Sequence, residues 1–66
     1  MLGDKIKEYR SIKGLTQKQL AVKINKSPTL ITKIETNNAN PSLQTLECIA
    51  RALEVPLINL LEDQSA

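Results

Sequence analysis

The sequence has no histidine, tryptophan or phenylalanine, a single cysteine and a single tyrosine. Without histidine there is no imidazole acid–base catalysis and no histidine metal ligation. Cys48 has no second cysteine, which excludes an internal disulfide and disfavours a zinc site. With Tyr9 as the one aromatic, the core has to be built from Leu, Ile, Val and Ala. No apolar run approaches the roughly 20 residues of a membrane span, and the N-terminus carries no signal-peptide pattern. The expectation is a soluble, cytoplasmic chain. No cluster combines nucleophile, base and oxyanion donor, and a chain this small cannot enclose a sizeable pocket, so an enzyme is the weakest reading.

What remains is one small domain of 66 residues, near the lower limit at which a single core is stable alone, with 41% apolar residues. The formal charge of +2 conceals an asymmetry. Residues 1–33 carry eight basic side chains against Asp4 and Glu8, a balance of +6. Residues 34–66 carry Arg51 against five acidic side chains, a balance of −4. A basic half points to a polyanionic partner; a merely solvated surface is the plainer account of charge taken alone.

Apolar spacing predicts helices throughout. Leu2, Ile6, Tyr9 and the stem of Lys13 share a stripe, and Gly14 fits a left-handed cap with Leu15 beyond it. Thr16 and Gln19 have the form of a capping box, followed by inward-facing Leu20, Ala21 and Ile24. Ser27 caps a third helix that Pro28 begins and that ends near Thr36. "NNANP" is a polar loop, and Ser42 caps a fourth helix with an inner stripe of Leu43, Leu46, Ile49, Ala50 and Leu53. Pro56 starts a short last helix, and residues 62–66 are expected to fray. The expected fold class is all-α, a single domain over 1–66.

Only Asn25 to Ser27 separate the second and third helices. Two short helices joined this way cannot each bury a whole face against the other, so the first and fourth helices must complete the core. That is a helix-turn-helix, over about 16–36, and it leaves the outer face of its second helix projecting. A projecting helix has the right width for the major groove of B-form DNA.

The segments "GDKIKEYR", "KGLTQKQLA", "LITKIE" and "NPSLQTLECIARALEVPLINLL" resemble, in order and spacing, the Cro/C1-type helix-turn-helix family. The resemblance implies a compact, five-helix, lambda-repressor-like domain that binds double-stranded DNA operators as a two-fold homodimer. Two departures use asparagine where the family often has glycine: Asn25 in the turn, and "ETNN" after the third helix. Pro28 stands where family members often contact bases, and it offers no donor.

At about 100° per residue, Ile31 and Ile34 face inward while Thr29, Thr32, Lys33 and Thr36 face outward. Threonine can offer a hydroxyl to a base edge or a methyl to thymine, and lysine can donate to guanine N7 and O6. Thr29, Thr32 and Lys33 are therefore assigned to bases. Gln17, in the first turn of its helix, is assigned to the DNA backbone or, as the resemblance implies, to bracing the third helix. Lys26, Thr36, Asn37, Asn38 and Asn40 are further backbone candidates, and Lys13 and Lys18 add long-range attraction. The resemblance also implies an ion pair between Arg10 and Glu35, whose energetic weight depends on its burial.

Leu57, Leu60 and Leu61 suffice for a core stripe in the last helix, and Ile58 is surplus to it; Leu57, Ile58 and Leu61 are assigned to a dimer interface. Cys48 falls on the outer side of its helix, as a redox switch or, more simply, an incidental thiol. No cofactor, metal or membrane partner is expected, and the sequence names no small-molecule effector. The leading expectation is a sequence-specific transcriptional regulator. Its alternatives are a DNA-binding antitoxin that mainly binds a partner toxin, and the DNA-binding part of a larger repressor.

Overall fold

Four helix ends are closed by the same device, and this sets the path of the chain. The computed structural model describes residues 1–61; the frayed tail expected at 62–66 lies outside them. The helices are α1 (Leu2–Ile12), α2 (Gln17–Lys23), α3 (Pro28–Glu35), α4 (Leu43–Leu53) and α5 (Leu57–Leu61). Among the described residues there is no strand. After each of α1 to α4, one residue turns left-handed: Gly14, Asn25, Asn37 and Glu54, with φ of 75°, 59°, 62° and 61°. At each end two amides fold back onto carbonyls of the last turn, as when Leu15 N donates to Arg10 O at 3.1 Å and Gly14 N to Ser11 O at 2.9 Å. Asparagine tolerates this conformation well, which is why the two departures from glycine preserve the path.

The starts are equally explicit. Thr16 Oγ1 accepts from Gln19 N at 3.0 Å while Gln19 Oε1 accepts from Thr16 N at 2.8 Å, a complete capping box. Ser27 Oγ accepts from Leu30 N and Ser42 Oγ from Thr45 N, at 3.2 and 3.1 Å.

The aliphatic core takes Ile6 from α1, Leu20, Ala21 and Ile24 from α2, Ile31 and Ile34 from α3, Leu46, Ile49, Ala50 and Leu53 from α4, and Leu60 from α5. Two expectations are corrected. Leu43 is 62% exposed and outside the core, because it occupies the first position of α4, before that helix reaches its neighbours. Leu61 is 53% exposed, so Leu60 is the fully buried residue of α5, with Leu57 packed beside it.

Helix α1 approaches the end of α3 unusually closely at Gly3. A Cβ placed there would collide with the carbonyl oxygen of Ile34 and would lie 2.7 Å from that of Glu35 and 2.8 Å from Asn37 Oδ1. Backbone carbonyls cannot step aside, so Gly3→Ala has to push the two helices apart. We expect a loss of about 1–3 kcal/mol in chemical denaturation. Gly14→Ala, where nothing lies within 4 Å, should cost only the left-handed strain, about 1 kcal/mol.

Lys13 Nζ bonds Glu54 Oε1 at 2.5 Å, joining the ends of α1 and α4. That hydrogen bond, then the charge of Lys13, holds the Glu54 carboxyl below its ordinary value of 4.5, with desolvation opposing and Lys23 assisting weakly. A depressed folded-state value means that the contribution is present above the unfolded carboxylate range and is lost as pH falls through the folded value. Lys13→Ala should return the Glu54 titration, followed by carboxyl chemical shift, towards 4.5.

Candidate nucleic-acid interface

The side chains of α3 divide sharply between interior and solvent. Ile31 and Ile34 are 0% and 1% exposed, and Leu30 packs half-buried beside them. Thr29, Thr32, Lys33 and Thr36 are all exposed. Among the described residues, the side chains of Thr29 and Lys33 have no intramolecular hydrogen bond or ion pair. These four outward side chains thus lie together on one surface of one helix.

Beneath that surface runs a connected polar network. Arg10 Nε donates to Glu35 Oε2 at 2.6 Å, Nη2 to Glu35 Oε1 at 3.0 Å, and Nη1 to the carbonyl of Leu15 at 2.6 Å. The side chains of Arg10 and Glu35 are 12% and 1% exposed, so the carboxylate is buried and the guanidinium largely so. The pair fixes α3 against α1 through the charged fork rather than through apolar contact alone. Gln17 Nε2 adds a third bond to Glu35 Oε1 at 3.0 Å, and Gln17 Oε1 accepts from Thr32 Oγ1 at 2.8 Å. Gln17 therefore braces the outward face of α3 from the first turn of α2.

The loop after α3 is similarly ordered by side chains. Thr36 Oγ1 donates to the carbonyl of Thr32 at 2.8 Å and accepts from Asn38 Nδ2 at 3.0 Å. With its proton committed inside the helix, the Thr36 hydroxyl is not placed to donate to a phosphate. Asn37 Oδ1 accepts from Gly3 N at 3.1 Å, which leaves the amide hydrogens of Asn37 as its outward donors. Sequence reasoning missed this tie between α1 and the loop, because no local signal joins residues 34 positions apart. Lys26 and Asn40 are exposed, while Lys13, occupied by Glu54, is not a free cation.

A five-helix core with a braced pair, α2 and α3, and an outward polar face on the second of them defines a helix-turn-helix domain. Residues 6–60 match the helix-turn-helix family model, and the chain belongs to the Cro/C1-type helix-turn-helix family. It is 37% identical over 65 residues to the HTH-type transcriptional regulator SinR of Bacillus subtilis, covering 97% of this chain and 59% of SinR. It is 45% identical over 56 residues to multiprotein-bridging factor 1 of Eremothecium gossypii, covering 85% of this chain and 37% of that protein. The chain thus spans less than two thirds of the length of either of these curated relatives. Its fold is similar to that of SinR, the master regulator for biofilm formation, in a crystal structure with DNA. The TM-score is 0.89 at 38% identity, over 94% of this chain and 100% of the other.

Proposed function

We propose that the domain is a sequence-specific DNA-binding transcriptional regulator that acts in the cytoplasm as a homodimer on a palindromic operator. The observation that carries this reading is the division of α3: its isoleucines are sealed in the core while Thr29 and Lys33 stand exposed and unpartnered. Thr29, Thr32 and Lys33 meet base edges in the major groove. Lys26, Asn37, Asn38 and Asn40 meet phosphates, together with the second amide proton of Gln17. Thr36 acts by orienting Asn38. Phosphate contacts set register, and the three groove residues carry the sequence preference. The exposed apolar side chains of α5, Ile58 and Leu61, with half-buried Leu57, form the self-association surface.

Selection of bound sequences from a random duplex pool tests this reading. The expected product is an inverted repeat with half-sites about 34 Å apart. Failure to enrich any sequence contradicts it. Lys33→Ala should lower the preference for the selected site more than it lowers affinity for unrelated duplex. Equal losses on both would assign Lys33 to the backbone.

A second reading, a protein-binding module such as an antitoxin, draws on the likeness to multiprotein-bridging factor 1 and on the exposed Ile12 and Val22. Co-purification with a specific protein in the absence of duplex binding would favour it.

A further inference from the structure

The interior network transmits a fixed hydrogen-bond polarity to the outward face of α3. The guanidinium of Arg10 can only donate, and the Glu35 carboxylate it pairs with can only accept. The additional bond that Glu35 Oε1 receives from Gln17 must therefore come from the amide nitrogen. This fixes which end of the Gln17 amide faces inward and turns its oxygen towards Thr32. That oxygen lies 2.8 Å from Thr32 Oγ1 and takes the hydroxyl proton. The other intramolecular neighbour of Thr32 Oγ1, the carbonyl oxygen of Pro28 at 3.2 Å, is also an acceptor. Thr32 thus has two intramolecular acceptors competing for its one proton and no intramolecular donor. Its oxygen lone pairs and its methyl group are what remain for a ligand.

We propose that Thr32 meets DNA as a hydrogen-bond acceptor, so that α3 selects an exocyclic amino group, adenine N6 or cytosine N4, at the base it contacts. This rests on the DNA-binding reading above and adds a direction to it. A hydroxyl free to rotate reads donors and acceptors alike, whereas this one discriminates against the N7 and O6 edge of guanine, which offers acceptors only. Turning the proton outward would strip Gln17 Oε1 of its donor at a surface from which DNA excludes water, and an unsatisfied group there is costly. Lys33, with donors only, has the opposite preference. Adjacent residues on α3 therefore present opposite polarity to the groove: an acceptor at 32 and a donor at 33.

The test begins with the duplex selected by the unmodified protein and compares it with Thr32→Val and Thr32→Ser. Thr32 is exposed, and thermal melts establish that both variants fold. The base position read by the hydroxyl is the one whose preference is lost in Thr32→Val and kept in Thr32→Ser. Replacing adenine there with purine, or cytosine with 2-pyrimidinone, deletes only the amino group. The expected result is about fivefold weaker binding by the unmodified protein and by Thr32→Ser, with no change for Thr32→Val. Three results overturn the proposal. One is insensitivity to the amino group, with a loss on 7-deazaguanine substitution instead. Another is a preference lost in Thr32→Ser and kept in Thr32→Val, the mark of a methyl contact. The last is no change of preference in either variant. If no duplex is selected at all, the DNA-binding reading itself fails, which is distinguishable from failure of the polarity alone.

Discussion

Glu35→Ala should lower the unfolding free energy by about 3–5 kcal/mol, because it leaves the largely buried Arg10 guanidinium without its carboxylate. Three hydrogen bonds to Glu35 are lost at once, two from Arg10 and one from Gln17. The carbonyl of Leu15 still accepts from Arg10 Nη1, but one neutral acceptor cannot compensate the charge. For a domain this small, each kcal/mol moves the melting temperature by roughly 4–8 °C, so the variant should be close to unfolded at physiological temperature. Removing both charges together is the informative control. Arg10→Met with Glu35→Leu replaces the pair by apolar groups of similar size and should recover much of the loss. If Glu35→Ala costs less than about 1 kcal/mol, the pair behaves as an exposed one and the interior network has been given too much weight. Denaturant titration of the three proteins decides between these outcomes.

The second large effect concerns salt. A dimer that neutralises six to ten phosphates should lose roughly 10³–10⁵ in affinity between about 50 and 200 mM salt, through release of condensed counterions. The structure makes this specific to individual lysines. Lys26 is exposed beside the turn, whereas Lys13 is held by Glu54 on the junction of α1 and α4. Lys26→Ala should therefore reduce the slope of log affinity against log salt by about one for each subunit. Lys13→Ala should leave it nearly unchanged. The reverse pattern would move the phosphate-binding surface away from α3 and towards the junction of α1 and α4. Fluorescence anisotropy at several salt concentrations measures both slopes.

Features encoded by neighbours in sequence were legible before any coordinates. Thr16 with Gln19, Ser27 with Pro28, and Ser42 mark helix starts because a cap bonds an amide two or three residues away. Gly14, Asn25 and Asn37 mark helix ends for the same local reason. The outward set on α3 follows from periodicity once Ile31 and Ile34 are assigned to the core. The Arg10–Glu35 pair was legible only through the family resemblance, since nothing local joins residues in different helices.

Features that depend on tertiary approach were not legible. Gly3 reads as a weak helix residue until α3 is seen to end against it, and Asn37 reads as a loop residue until its side-chain Oδ1 is found accepting from the Gly3 amide. Nothing in the residue type of Glu54 announces a left-handed conformation or a bond to Lys13, since glutamate has neither the freedom of glycine nor the local bonding of asparagine. Leu43 was misplaced because periodicity gives the direction of a side chain but not where along the helix its neighbours begin. The direction of the Thr32 hydrogen bond lay further still from the sequence, as it is inherited through two other side chains.

The most direct measurement is chemical-shift mapping of the isotopically labelled domain during titration with its selected duplex. Shifts concentrated on Thr29, Thr32, Lys33 and the adjoining Gln17, with core Ile31 and Ile34 little changed, are the predicted result. Shifts concentrated on α4 and α5 while the outward surface of α3 stays silent would contradict it.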